Sequence, residues 1–327
     1  MSNSENSNEE KYDKGINYMI KQFHKTKEGS SLTVDFPKNL MIEITNVCNL
    51  RCVMCYNRLM KRKKGFMDEE TFQLVLKNSK EIGIEMIGLY TTGESLLHPK
   101  IYDFIKLAKN MGFKYIYITS NGVTLDQDKI NQILECGLDS IKFSIDAASK
   151  ETYDKLRPGG DFDKVHNNVK MLREKRDKLK SKLKIYASFV VTNKNQEELM
   201  KFKEFWKDLI DEVSISFVSN QSGLQKEEFQ DLAIDKSKNR MVRTKSICPL
   251  LWDRIIVTYD GKYTICSEDF EGTLIYGDIH TEPMKEAWNN DKMKAYRKMF
   301  ISKDFSLSPR CKDCSSNLND SEIMESL

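Results

Sequence analysis

The chain has 327 residues, 39% hydrophobic and 31% charged, which is enough to build one α/β domain and a smaller appendage. The formal net charge of +3 is nearly balanced, so we expect neither nucleic acid nor a membrane as partner. No apolar run approaches the roughly 18 residues of a membrane span, and the polar N-terminus lacks the apolar segment of a secretory signal. We therefore predict a cytoplasmic protein, whose eight cysteines serve as metal ligands or catalytic groups rather than as disulfides.

Residues 1–37 form an N-terminal extension with one predicted helix around Tyr12 to His24. From residue 38, short β-branched and aromatic runs alternate with segments of helical periodicity. The predicted strands cover residues 40–45, 84–91, 115–119, 140–145, 185–191 and 213–218. The predicted helices between them cover residues 69–82, 101–111, 127–136, 162–179 and 196–210.

These strands are mostly apolar on both faces, which is typical of a parallel sheet covered by helices. Successive β/α units predict an α/β fold, with a partial (β/α)6 barrel of parallel strands over residues 38–220. In such folds the active site lies at the carboxyl ends of the strands.

The pattern changes after residue 220. Residues 221–247 are polar and are predicted to be a linker with a short helix. Two alternating runs around Asp260-Gly261 then predict a β-hairpin, followed by a helix over residues 284–300. Residues 248–327 are therefore predicted to be a small, cysteine-rich module.

Three cysteines, Cys48, Cys52 and Cys55, lie within eight residues directly after the first predicted strand. Three thiolates can hold a [4Fe–4S] cluster and leave one iron open, whereas structural clusters and structural zinc sites use four protein ligands. A structural zinc site is the alternative, but the nearby sequence offers no obvious fourth ligand. The pattern favours an open cluster that binds a cofactor or substrate.

The spacing Cys48-x-x-x-Cys52-x-x-Cys55 resembles that of the radical S-adenosylmethionine (radical SAM) superfamily. Further motifs follow it in the family's order, each at the end of a predicted strand: Thr92-Gly93-Glu94, Ser120-Asn121-Gly122 and Ser144-Ile145-Asp146. Thr92 stands where the family carries glycine. The resemblance covers about residues 38–220 and implies that S-adenosylmethionine binds beside the first cluster.

The resemblance also implies roles for individual residues in binding this cofactor. Gly93 and Glu94 would hold the methionine amino group, and Arg157 would steady its carboxylate. The remaining expected contacts are Ser120 and Asn121 near the third strand end, Ser144 and Asp146 at the ribose, and Met54 and Val191 at the adenine. For three of these residues a purely structural role is the alternative: Glu94 as a helix N-cap, Ser144 as a strand-end hydroxyl and Arg157 as a surface ion pair.

Four further cysteines, Cys248, Cys266, Cys311 and Cys314, fall in the C-terminal module. Four thiolates suit either structural zinc or a fully ligated [4Fe–4S] cluster, and physical reasoning alone does not separate them. The module is similar to the auxiliary-cluster domains called SPASM and twitch, and especially to the tail of 2-deoxy-scyllo-inosamine dehydrogenase. This resemblance implies one second [4Fe–4S] cluster. The eighth cysteine, Cys136, is predicted to be a buried apolar residue.

Together these features predict an oxidoreductase-type radical SAM enzyme. It would cleave S-adenosylmethionine reductively to a 5′-deoxyadenosyl radical and oxidise a small hydroxylated or sugar-like metabolite, helped by the second cluster. A flavodoxin- or ferredoxin-like protein would donate the electron, and Arg254 and Glu268 are candidates for a catalytic base. The alternatives are a peptide-modifying maturase or epimerase and, more distantly, a zinc-binding scaffold.

Overall fold

The computed structural model describes residues 31–234 and 247–315, and the helix expected around residues 12–24 lies outside them. Within these ranges one sheet contains nine strands. They are β1 Asn39–Ile42, β2 Met86–Gly88, β3 Tyr115–Ser120, β4 Ser140–Ser144, β5 Lys184–Val191, β6 Glu212–Phe217, β7 Arg254–Val257, β8 Lys262–Thr264 and β9 Ile275–Asp278. Their spatial order is β6-β5-β4-β3-β2-β1-β7-β8-β9.

Strands β1 to β6 pair in parallel, as a partial β/α barrel requires. Strand β7 also runs parallel to β1, with Asn39 opposite Arg254. The expected hairpin is confirmed, because β8 pairs antiparallel with β7, and β9 then extends the sheet beyond β8. The C-terminal module is therefore joined to the barrel through β7.

Helices follow most of the strands and pack against the sheet, while one of them, Lys226–Leu232, packs in the small cluster with Met54. They are α1 Glu69–Glu81, α2 Ile101–Asn110, α3 Gln127–Glu135, α4 Lys150–Leu156, α5 Phe162–Lys178, α6 Leu199–Trp206, α7 Lys226–Leu232, α8 Leu250–Asp253, α9 Met284–Ala287, α10 Asp291–Ser302 and α11 Pro309–Lys312. Side-chain caps mark several starts: Asp68 accepts from the Thr71 amide and Asp126 from that of Lys129.

The two faces of the barrel strands differ more than their sequences suggested. Alternate residues, such as Ile141 and Phe143 on β4, are fully buried in the core between the sheet and the helices. The residues between them, such as Lys142 and Ser144, are half-buried on the inner face of the barrel. The prediction that both faces are apolar is wrong for the inner face, which is largely polar.

Two helix predictions also need correction. The helix expected over residues 284–300 is two helices, because Asn290 accepts a hydrogen bond from the Met293 amide and starts α10. Helix α4 was not predicted; Ser149 caps it by accepting from the Thr152 amide. In the part of the chain that is described, no helix has the length and apolar character needed to cross a membrane.

Candidate functional site

Cys48, Cys52 and Cys55 lie on the loop after β1, half-buried and free of disulfides. Burial is the main cause that raises the pKa of Cys48 to about 11 and that of Cys55 to about 12, and the neighbouring thiols add to it. A bound metal reverses this effect because its positive charge favours the thiolate. Three cysteine sulfurs close enough to affect one another's pKa values are suitable ligands for an iron–sulfur cluster.

Backbone hydrogen bonds fix this loop against the segment that ends α4. The Arg51 amide donates to the Pro158 carbonyl at 2.9 Å, and the Val53 amide donates to the Leu156 carbonyl at 3.0 Å. The following turn is held by Asn57, whose side-chain amide donates to the Thr92 carbonyl at 2.7 Å. The loop conformation therefore depends on the strand ends around it.

Glu94 is buried next to this loop. Its amide donates to the Val47 carbonyl at 2.8 Å, one residue before the first cysteine. Its carboxylate accepts from the Leu96 amide at 3.1 Å and from the Asn121 amide at 2.7 Å. The first contact confirms the capping alternative, since Glu94 is the N-cap of a 3₁₀ turn, Ser95–Leu97. Burial raises the pKa of Glu94, so a cationic ligand there would be stabilising.

Gly93 explains why this loop approaches the cysteine loop so closely. A Cβ atom at Gly93 would lie 2.3 Å from the Thr45 carbonyl oxygen and 2.8 Å from that of Val47. Both obstacles are backbone atoms and cannot swing away. Glycine is therefore required here for backbone packing, whatever else it contacts.

The departure at Thr92 has a structural counterpart in Glu43 at the end of β1. The Thr92 hydroxyl donates to Glu43 Oε2 at 3.0 Å, and Thr91 donates to the same atom at 3.2 Å. Arg62 contacts both oxygens of the Glu43 carboxylate, at 2.6 and 2.7 Å. A buried ion pair thus ties Thr92 to β1, and Glu43 was missed because a lone acidic residue in a strand carries no motif.

Asp146 and Arg157 form a buried ion pair beside the first cysteines. One Asp146 oxygen contacts the Arg157 guanidinium, and the other accepts from the Val190 amide at 2.8 Å. Arg157 also donates to the Ile145 carbonyl at 3.1 Å and lies 3.5 Å from Cys52 Sγ. Asp146 has a φ of 64°, a left-handed conformation that costs about 1 kcal/mol. The surface-ion-pair alternative for Arg157 is therefore wrong.

The other expected cofactor residues differ in burial and in surroundings. Ser120 accepts from the Gly122 amide at 3.0 Å and is buried with Asn121, while Ser144 is half-exposed on the inner face. Met54 packs in a small apolar cluster with Leu156 and Val218.

Val191 needs correction. Its side chain is fully buried in the outer core, because strand alternation turns it away from the inner face. Its neighbour Val190 is half-buried and packs instead against the cluster that contains Met54. On this strand Val190, and not Val191, therefore lies on the side of Met54.

The second set of thiols is assembled from distant segments. Burial, with the charges of Glu268, Cys314 and Cys248, raises the pKa of Cys266 well above its ordinary value. Cys311 accepts from Ser308 Oγ at 3.2 Å. Within the residues described, no three His, Cys, Asp or Glu side chains meet closely enough to hold a single metal ion. Cys266 is thus near enough to Cys248 and Cys314 for their charges to act on it, although α8, β8 and several later elements separate these three cysteines in sequence.

Asn220, just after β6, connects the second set to the barrel. Its side-chain amide donates to the Asp313 carbonyl at 2.5 Å, and its oxygen accepts from the Ser315 amide at 3.0 Å. The Asn220 amide in turn donates to Ser315 Oγ at 2.8 Å. The Cys311–Cys314 loop is therefore held at the carboxyl end of the last barrel strand.

The two candidates for a base lie in different places. Glu268 is next to the second set, where its amide donates to Cys266 Sγ at 3.3 Å and its carboxylate accepts from Ser219 Oγ at 3.1 Å. Arg254 lies on β7 and contacts Met41 Sδ at 2.7 Å, on the inner face of the barrel. An arginine stays protonated, so Arg254 suits charge stabilisation rather than proton abstraction.

A family model for the radical SAM superfamily matches residues 42–205, and one for the SPASM iron–sulfur cluster-binding domain matches residues 248–315. The chain belongs to the radical SAM superfamily. More particularly, it is a radical SAM enzyme with a SPASM iron–sulfur domain. The sequence-based assignment to this class is confirmed.

Relatives of known name differ in how much of the chain they cover. The chain is 25% identical to the tungsten-containing aldehyde ferredoxin oxidoreductase cofactor-modifying protein of Pyrococcus furiosus, over 85% of this chain and 87% of the relative. It is 30% identical to a probable GTP 3′,8-cyclase of Saccharolobus islandicus, over 53% of this chain and 54% of the cyclase. The chain thus matches only about half the length of that cyclase.

Solved structures share the fold. BtrN in complex with AdoMet and 2-DOIA aligns with a TM-score of 0.60 at 19% identity, over 86% of this chain and 94% of that one. SuiB of Streptococcus suis bound to precursor peptide SuiA aligns with a TM-score of 0.66 at 14% identity, over 91% and 72% of the chains. At these identities the likeness shows the fold, and it confirms the α/β partial barrel.

Proposed function

We propose that Cys48, Cys52 and Cys55 hold a [4Fe–4S] cluster at which S-adenosylmethionine binds, and that Glu94 receives the amino group of its methionine part. The observation that carries this proposal is the position of Glu94. Its carboxylate is buried and has no lysine or arginine ion-pair partner among the described side chains. The backbone amide of Glu94 is hydrogen-bonded to Val47, directly before the cysteine loop. A buried carboxylate in that position is stabilised by a cationic ligand.

When bound, the cluster supplies the electron that splits S-adenosylmethionine and so produces the radical that removes a hydrogen atom from the substrate. The chain's own residues bind and orient S-adenosylmethionine. Arg157, held by Asp146, places a positive charge beside Cys52 and beside the expected methionine carboxylate. Ser144, half-exposed at the end of β4, is the better ribose contact, since both Asp146 oxygens are already engaged.

We further propose that Cys248, Cys266, Cys311 and Cys314 would hold a second [4Fe–4S] cluster, which would supply an electron acceptor for oxidation of the substrate. Glu268, next to Cys266, is a carboxylate beside this set that can take up a proton. A flavodoxin- or ferredoxin-like protein would reduce the first cluster.

For the substrate we propose a small hydroxylated molecule. The relative that aligns along both modules is named as a cofactor-modifying protein, which favours a small molecule. The polar inner face of the barrel, with Ser144, Ser188 and Tyr117 on it, can hydrogen-bond hydroxyl groups. A peptide is the alternative substrate, and a screen of candidate substrates would distinguish the two.

The test is anaerobic reconstitution with iron and sulfide, followed by reductant and S-adenosylmethionine. We expect 5′-deoxyadenosine from the native chain, and a large loss with Glu94→Gln because the amide cannot offset the ammonium charge. Glu81→Gln, an exposed position at the end of α1, is the matched control and keeps full turnover. Absence of 5′-deoxyadenosine from the native chain would refute the proposal.

A further inference from the structure

Ser308, the residue before α11, does not cap this helix with its side chain. A serine in that position ordinarily accepts a hydrogen bond from an amide in the first helical turn. Here the hydroxyl of Ser308 donates instead to Cys311 Sγ at 3.2 Å, while the Ser308 carbonyl accepts from the Cys311 amide at 3.0 Å. Ser308 is only 4% exposed, so this contact is shielded from water. The hydroxyl is therefore directed at a sulfur of the second set.

A second buried hydroxyl lies beside another sulfur of this set. Ser222, on the segment after β6, is 1% exposed, and its Oγ lies 3.7 Å from Cys266 Sγ. Its φ of 58° is a left-handed conformation that residues other than glycine rarely adopt. Asn220 supports the turn, because its side-chain oxygen accepts from the Gly223 amide at 3.0 Å. The backbone thus holds Ser222 in an uncommon conformation next to Cys266.

The direction of these hydrogen bonds follows from the chemistry of the proposed ligands. A cysteine that binds a metal is a thiolate and has no proton to donate. The serine hydroxyl must then be the donor, and the sulfur the acceptor, in both contacts. The Glu268 amide is a further donor to Cys266, at 3.3 Å, whereas the charge of the Glu268 carboxylate acts on Cys266 in the opposite sense.

From this arrangement we infer that the hydroxyls of Ser308 and Ser222 raise the reduction potential of the second cluster by donating hydrogen bonds to Cys311 and Cys266. Reduction adds negative charge that the ligating sulfurs share, so a donor stabilises the reduced cluster more than the oxidised one. A higher potential favours this cluster as an electron acceptor. The inference rests on the proposed function, and it deepens that function by naming residues that would set the direction of electron flow.

The experiment is a redox titration of the full chain, reconstituted anaerobically with iron and sulfide and followed by electron paramagnetic resonance. Added S-adenosylmethionine identifies the first cluster, because only the signal of the cluster that binds it should change. In Ser308→Ala we expect the ratio of oxidised to reduced second cluster at a fixed potential to rise about tenfold, the effect of one hydrogen bond, which corresponds to a potential about 60 mV lower. The first cluster should keep its potential and is the internal control.

Three further variants separate the hydrogen bond from a purely structural effect. Ser308→Thr keeps the hydroxyl and should retain the native potential. Ser306→Ala, at an exposed position two residues earlier, is the matched control and should leave both potentials unchanged. Ser222→Ala should lower the second potential by a smaller amount, because a contact of 3.7 Å makes a weaker hydrogen bond.

An unchanged or higher second potential in Ser308→Ala, at full iron content, would overturn the inference. If Ser308→Ala does not retain the second cluster, the titration of Ser222→Ala decides in its place, and an unchanged potential there would also overturn it. A native chain that binds only about four irons instead of eight contradicts the second cluster itself. Iron content therefore distinguishes failure of the proposed function from failure of this inference.

Discussion

The two sets of thiols are built in different ways. Cys48, Cys52 and Cys55 come from one short loop, and their spacing, with the motifs that follow it, can be recognised in the sequence. The second set draws on four separate positions, and the fold must bring these together. A local set can be recognised from sequence, whereas an assembled set depends on the contacts that close it.

The local set nevertheless depends on tertiary structure. Its loop is bonded through the backbone to the segment after α4, and Arg157 reaches Cys52 only because Asp146 holds it. The assembled set depends on Asn220, which fastens the Cys311–Cys314 loop to the end of β6. Asp146 and Asn220 are thus polar anchors of the two sets, and they can be removed separately.

The largest effect is expected from Asp146→Ala, which removes the anchor of the first set. The Asp146 and Arg157 side chains are 0% and 8% exposed, so the substitution leaves a buried guanidinium without its counter-ion. We expect the free energy of unfolding to fall by about 3–5 kcal/mol, measured by denaturant titration of the reconstituted protein. Iron should be lost from the first set.

Asp154→Ala is the control for this experiment. Asp154 pairs with Lys150 at 3.3 Å on the exposed face of α4, where an ion pair contributes little. Its unfolding free energy should stay within about 0.5 kcal/mol of the native value. If Asp146→Ala behaved like this control, the Arg157 pair would not be the anchor of the first set.

An intermediate effect is expected from Asn220→Ala, which removes the anchor of the second set. Loss of the three side-chain hydrogen bonds of Asn220 leaves the Asp313 carbonyl and the Ser315 and Gly223 amides without this partner and should cost about 1–3 kcal/mol. Iron content should fall from about eight per chain to about four, with 5′-deoxyadenosine formation retained. Asn110→Ala, at an exposed position, should keep both sets. Parallel loss of iron from both sets would show that they are not independent.

The same contrast explains what could be predicted from sequence. Strand β3 was expected at residues 115–119 and found at Tyr115–Ser120, because a β-branched and aromatic run marks it. Helix α4 was missed because it is short and polar, and its cap Ser149 is itself bonded to distant Glu198 at 2.6 Å. Local sequence patterns were sufficient to predict β3, whereas a tertiary contact helps to set the start of α4.

Within the site, residues that belong to motifs were found and residues that support them were not. Glu94 and Arg157 stand in sequence segments that resemble family motifs, and both lie beside the cysteine loop. Glu43, which directly follows β1, and Lys142, on β4, are single charged residues outside any motif. Only the contacts of Glu43 and the alternation of β4 reveal where they lie. A single sequence gives no sign of which face of a parallel strand is inward.

The smallest effect is expected at Thr92, where the chain departs from the family pattern. Thr92→Gly restores the family residue but removes the 3.0 Å hydrogen bond to Glu43. Arg62 and Thr91 still bind that carboxylate, so the loss should be limited to about 1–2 kcal/mol, including the backbone entropy of glycine. Thr92→Ser keeps the hydroxyl and should recover most of the difference in a denaturant titration. A glycine variant as stable as the native chain would mean that the Thr92–Glu43 contact does not hold this loop against the first set.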